Sequence, residues 1–256
     1  MKDQYVIACI DRPTDADTVL AWASALAERL RHKGLIALNV SPDGDAPWLN
    51  ELHVPHVGLR GQWRTAIDGL PTAFGGILAV TAVDPDAPRQ SLAHPYTLLR
   101  QFRGCKIAYL CVPTQTPFRL QRAALTLNHR REAKEKLLWA SYLARFCGTA
   151  LTIAHPHYTD PALSQRLQNN IRFARKMYAP LQIEFQETTL ARTVKEDHTA
   201  LDLLRPDLLV AMTTDTRDRL PIGHLLPTPE RHLLSHPSRT PILLLNTRDD
   251  LYILCD

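Results

Sequence analysis

Residues 21–30 read AWASALAERL and residues 138–147 read LWASYLARFC, two versions of one helical segment. Their tryptophans, Trp22 and Trp139, stand 117 residues apart. The same step carries Ala16, Leu20, Ala23 and Ala27 onto Ala133, Leu137, Ala140 and Ala144. These positions advance by four, three and four residues, which places them on one face of an α-helix. Short apolar runs flank each copy: residues 5–10 and 35–40 around the first, 123–128 and 150–155 around the second. A strand, an amphipathic helix and a strand, repeated half a chain later, predict two copies of one α/β unit.

Outward from the second copy, the pattern predicts a helix over 161–178, a strand over 182–188 and a helix over 193–204. A strand over 207–213, a helix over 229–235 and a strand over 241–246 follow. Apolar runs alternating with helices are the mark of a doubly wound parallel sheet covered on both faces. Outward from the first copy, a poor edge strand over 53–59 precedes a helix over 62–73. The run GILAVTAV (76–83) is the clearest strand, with a short helix over 96–102 and a last strand over 106–112. Thr14 is positioned to cap the first helix, and Gly34 to stop it. The interval between the second strand and GILAVTAV is shorter than its counterpart in the second copy, which predicts loss of a crossover helix. The segment TQTP (114–117) marks the boundary, giving a degenerate repeat over 1–116 and a more complete one over 117–256.

Composition bounds the function. An apolar content of 45% and a charged content of 22% describe a globular chain long enough for two domains. The net charge is +4, and the densest basic group, Arg130, Arg131, Lys134 and Lys136, is interrupted by Glu132 and Glu135. That interruption predicts a solvated helix surface and no nucleic-acid stripe. Residues 166–176 (RLQNNIRFARK) read as a covering helix with Leu167, Ile171 and Ala174 inward and basic residues outward, with no membrane role. No run approaches the ~20 apolar residues that cross a bilayer, and residues 5–10 are too short for a signal-peptide core. The five cysteines, at 9, 105, 111, 147 and 255, include no CxxC pair and fall mostly in apolar runs. Buried free thiols in a reducing cytoplasm are the expectation.

Here the sequence resembles a known family. A strand ending in Asp11, the helix LAWASALAERL and a second strand resemble the start of the universal stress protein domain. HPYTLLRQFRGCKIAYLCV (94–112) and PERHLLSHPSRTPILLLN (229–246) resemble its close. The resemblance covers nearly the whole chain as a tandem pair. It implies an α/β fold of two doubly wound parallel-sheet units, adenine nucleotide alpha hydrolase-like, related by a pseudo-two-fold axis. It also implies contacting strands at 106–112 and 241–246.

Many members of that family bind ATP through a loop after the fourth strand, patterned G-x2-G-x9-G-[S/T]. Its glycines let backbone N–H groups approach the phosphates. In this chain residues 213–234 hold one glycine, Gly223, and the Gly-[Ser/Thr] position falls near Thr228-Pro229, where proline removes a donor. The first-half loop, 81–95, has no glycine and carries Asp84 and Asp86, which would oppose phosphate. The family's first-strand aspartate corresponds to Asp11, and in the second repeat that position is Asn128. Neither repeat carries a full site, so no cofactor is expected, ATP by the family loop included.

Other constellations read as structure. His155 and His157, His53 and His56, and His232 and His236 lack zinc spacing, and no metal is expected. There is no GxSxG elbow, and Ser24 and Ser141 sit mid-helix beside tryptophan. The sequence thus predicts a cytoplasmic, non-catalytic scaffold of the stress-response or regulatory kind. It would bind a protein partner or a small molecule, as an intramolecular pseudo-dimer able to form a further homodimer. The alternative is a nucleotide-binding protein or slow ATPase with a remodelled pocket at Asn128, Thr213, Thr214 and Gly223, with Asp11 as the first-repeat counterpart.

Overall fold

The computed structural model describes residues 4–31, 34–44, 46–190, 201, 204–213, 228–236 and 240–246. The chain forms two compact units, one from Met1–Phe118 with Leu234–Asn246, the other built on Arg119–Leu233. Most of the helix expected over 193–204 and all of the tail 249–256 lie outside the described residues.

In the first unit, β1 (Tyr5–Cys9), α1 (Ala16–Arg29) and β2 (Gly34–Ser41) are followed by β3 (His56–Arg60) and α2 (Trp63–Ala73). β4 (Gly76–Val83), α3 (Pro95–Phe102) and β5 (Ala108–Pro113) complete the run. Strand order is β3-β2-β1-β4-β5, all parallel. Beyond β5 lies β10 (Ile242–Leu245), antiparallel, with Ile242 opposite Cys111 and Leu244 opposite Tyr109. That backbone pairing groups residues 234–246 with the first unit, although by sequence they close the second repeat. It also places the two expected contacting strands side by side.

The central strands are apolar on both faces because both are covered. Val6, Ile7, Ala8, Ala79 and Val80 are wholly buried. On α1, Val19, Ala23, Leu26 and Ala27 face inward, and the alanines allow close approach to the sheet. A 3-10 turn at Pro47–Glu51 stands between β2 and β3, where the second unit has a full helix. This is the missing crossover. Thr14 does not cap α1. The helix starts after a 3-10 turn, Pro13–Asp15, whose aspartate is bound to Arg12 instead. Nor does Gly34 end it: the chain turns at Arg31, with φ of 56°, and Gly34 opens β2.

The second unit contains β6 (Arg122–Thr126), α4 (Glu135–Cys147), β7 (Ala150–Pro156), α5 (Pro161–Tyr178), β8 (Phe185–Leu190) and β9 (Leu208–Met212). Its strands run parallel in the order β9-β6-β7-β8. The 117-residue step carries β1 onto β6 residue for residue. Leu167, Ile171 and Ala174 of α5 are buried as their spacing predicts. Gly148, in the left-handed region at φ 66°, ends α4 with its N–H on the carbonyl of Ala144. One further helix, α6 (Pro229–Ser235), precedes β10. Among the described residues, no helix is long and apolar enough to cross a membrane.

Candidate functional site

Open α/β sheets take ligands at the carboxyl ends of their strands, where connections diverge to either side. β1 lies between β2 and β4, and β6 between β7 and β9. Asp11 follows β1 and Asn128 follows β6, so each unit has one such position.

In the first unit Asp11 is committed to its own protein. Its Oδ1 accepts from Trp63 Nε1 at 3.1 Å, and its Oδ2 accepts from Ser91 Oγ at 2.6 Å and Leu92 N at 2.9 Å. Leu92 is 0% exposed, and Ala87 and Ala93 are buried with it. The loop before α3 thus folds inward over the end of β1. Asp84, expected to repel phosphate, is instead 3.0 Å from Arg12 Nη2, while Arg12 Nε meets Asp15 Oδ2 at 2.7 Å. The bond to Asp15 and then that to Asp84 hold the guanidinium above its ordinary pKa against partial burial. The first unit closes over its own strand end.

The second unit opens there. The connection from β6 to α4 and the first half of α5 enclose a cavity of about 490 Å³, lined by His129, Arg130, Arg131, Lys134, Arg166, Asn169 and Asn170. Asn170, 4% exposed, fixes this geometry. Its Nδ2 donates to the carbonyls of Asn128 and Arg130, both at 2.8 Å. Asn128 Oδ1 accepts from Arg130 N at 3.0 Å, an Asx turn that makes the chain leave β6 sharply. His129 Nδ1 lies 2.8 Å from the Tyr158 hydroxyl with the rings edge to face, and partial burial raises that phenol's pKa. Lys134 Nζ sits 4.7 Å from the centre of the Phe173 ring. Arg166 is exposed on the α5 side. Four cationic side chains therefore border one cavity, a setting that attracts an anion of more than one charge.

These positions correct the reading of the basic cluster as a uniformly solvated face. Arg130, Arg131 and Lys134 line the cavity with Arg166, which sequence separation had hidden. Lys136 points the other way: it is 3% exposed, and its Nζ donates to the carbonyl and hydroxyl of Thr126. Burial lowers its pKa to about 7. The repeat contained that signal, because the 117-residue step aligns Lys136 with buried Val19.

Of the sequence-predicted pocket residues, Asn128 and Thr213 follow the carboxyl ends of two adjacent parallel strands. Each lies three residues beyond the Leu125–Val210 pair of adjacent parallel strands. Thr214 and Gly223 lie outside the described residues, and Asp11 belongs to the other unit. Among the described residues no group of three His, Cys, Asp or Glu side chains is placed to hold a metal.

No family model matches the sequence, and no curated protein is significantly similar to it. Solved structures are similar over the whole length. A universal stress protein from Archaeoglobus fulgidus DSM 4304 matches with a TM-score of 0.66 at 11% identity, covering 96% of this chain and 97% of its own. A structure described as a universal stress protein from Pseudomonas aeruginosa UCBPP-PA14 matches at 0.64 and 15% identity, covering 96% and 94%. A protein of unknown function from Pseudomonas aeruginosa PAO1 also matches at 0.64 and 15%, covering 96% and 93%. Over nearly its whole length, this chain has the fold of solved universal stress proteins.

Proposed function

We propose that the chain is a non-catalytic binding scaffold whose second unit takes a phosphate-bearing small molecule, with the first unit serving as a closed structural partner. The observation that carries this is the cavity bordered by Arg130, Arg131, Lys134 and Arg166 beside the end of β6. At a distance of 4 Å and surface-like screening, each cation–anion pair contributes up to about 4 kcal/mol of gross attraction, part of which desolvation offsets. Among the described residues, those lining the cavity include no Ser, Cys, Asp or Glu, and the chemistry proposed for it is attraction and orientation. The loop that cradles ATP in the resembled family keeps only Gly223 here and has proline where a donor is needed, so binding through that loop is not part of the proposal. Ligand occupancy would be read by a partner in a regulatory or stress-response role. The buried thiols of Cys9, Cys105 and Cys111 support a reducing, cytoplasmic setting.

Calorimetry of the full chain with inorganic pyrophosphate and with ATP and Mg²⁺ tests this. Pyrophosphate should bind, weaken as salt screens the cations, and lose about ten-fold in affinity in an Arg130→Ala/Arg166→Ala variant. Absence of binding by either anion overturns the proposal. ATP binding that survives the double arginine change and is lost in Gly223→Val establishes the alternative, a nucleotide pocket using Asn128, Thr213, Thr214 and Gly223.

A further inference from the structure

The two repeated helices are treated differently on their outer faces. In the first unit Trp22 of α1 is 1% exposed, because the segment following β5 lies across it. Its indole N–H donates to the Thr116 carbonyl at 3.0 Å, and the Phe118 ring meets it edge to face at 4.8 Å. Gln115 N donates to Thr18 Oγ1 on the same helix at 3.2 Å, and the Arg29 guanidinium lies 4.8 Å over the Phe118 ring. In the second unit the equivalent face of α4 stands open. Leu138 is 44% and Tyr142 40% exposed, and Trp139 and Phe146 are half-buried. Trp139, Tyr142 and Phe146 form a continuous aromatic row with ring centres 5.9 and 6.2 Å apart, and Arg145 lies over its end. Exposed apolar rows of this kind mark contact surfaces.

The repeat names the occupant. Phe118 stands ten residues beyond the first residue of β5, Ala108, and Tyr252 stands ten beyond the first residue of β10, Ile242. Around Tyr252 the sequence reads Leu251-Tyr252-Ile253-Leu254, preceded by Asp249 and Asp250. The apolar stretch matches the aromatic row, and the acidic pair complements Arg145. We propose that residues 249–254 dock on the outer face of α4, covering Trp139 and Tyr142 as residues 115–118 cover Trp22. The tail is thereby the second repeat's version of the inter-repeat segment, and α4 is an intramolecular docking surface.

Acrylamide quenching of tryptophan fluorescence tests this in the full chain, with Trp139→Phe as the background that isolates the Trp139 signal. Tyr252→Asp/Ile253→Asp, and separately a stop after Arg248, should each raise quenching of Trp139 at least about two-fold and shift its emission to the red. Neither should change the Trp139→Phe protein, and both should leave the mass in solution unchanged. Unaltered Trp139 quenching in both variants overturns the proposal. So does a concentration-dependent wild-type dimer that Tyr142→Asp dissociates while the tail variants do not, since a second copy then covers the face.

Discussion

Lys136, on the first turn of α4, donates its ammonium hydrogens to the carbonyl and the hydroxyl of Thr126 on β6, inside the second unit's core. A charge in that position is solvated by two neutral oxygens instead of water, and burial lowers its pKa from 10.5 to about 7. Below pH 7 the lysine is protonated both folded and unfolded, and folding carries the full desolvation cost. Between about 7 and 10.5 only the unfolded chain holds the proton, so this residue's contribution to stability improves as pH rises. Lys136→Met should stabilise the protein by about 2 kcal/mol near pH 6, and the gain should shrink as pH rises towards 10. Urea unfolding of both proteins at pH 6, 8 and 9.5 measures it; a pH-independent difference contradicts the account.

Asp11 bonds the end of β1 to α2 and to the loop before α3. Asp11→Ala leaves the Trp63 indole N–H, the Ser91 hydroxyl and the Leu92 N–H without their acceptor. The expected loss is about 2–4 kcal/mol. Pyrophosphate affinity should not change, because the cavity belongs to the other unit. Chemical denaturation and calorimetry on the same variant check both halves of this statement.

Asn170 and Arg166 lie four residues apart on α5 yet should separate cleanly in experiment. Asn170→Ala releases two carbonyls that hold the 128–130 turn, and should cost about 1–3 kcal/mol of stability as well as weakening pyrophosphate binding. Arg166→Ala should weaken binding with stability changed by less than about 0.5 kcal/mol, as for other exposed charges. Thermal melts paired with titrations measure both. Equal stability losses would show that Arg166 has a structural role.

The thiols of Cys9, Cys105 and Cys111 are all buried, and burial raises the pKa of each. Thiolate is the reactive form, so these three should resist a disulfide reagent in the folded protein at pH 8 and react when urea is added. The half-buried Cys147 should react sooner. Rapid native labelling of Cys9 or Cys111 would show that the first unit opens readily.

Much of the fold was legible because it is written twice. The tryptophan step located β6 from β1, and single runs such as GILAVTAV could only be buried strands. Local reading failed where a distant partner decides the outcome. Thr14 looked like a helix cap, but Arg12, which distant Asp84 also holds, takes Asp15, and the helix begins after a 3-10 turn. Asp84 looked like a repulsive charge until folding set Arg12 beside it. The cavity was illegible for the same reason: residues 129–134 and 166–170 become neighbours only after α5 packs, and charge pattern along either segment alone describes a wetted surface. Lys136 was misread with them as a solvated charge, although its alignment with Val19 puts a lysine at a core position.

The pairing of β10 with β5 sets a timetable for synthesis. A ribosome finishes Pro113 and then adds well over a hundred residues before Ile242 emerges. Throughout that interval the first unit's sheet ends in an open row of backbone donors and acceptors at Tyr109, Leu110 and Cys111, the kind of edge that recruits other strands. At roughly 5–20 residues per second the exposure lasts from about six to about 26 seconds, long enough for nascent chains on one messenger to meet. Sequences that join two such repeats in one polypeptide therefore trade a search between separate subunits for a wait on the ribosome.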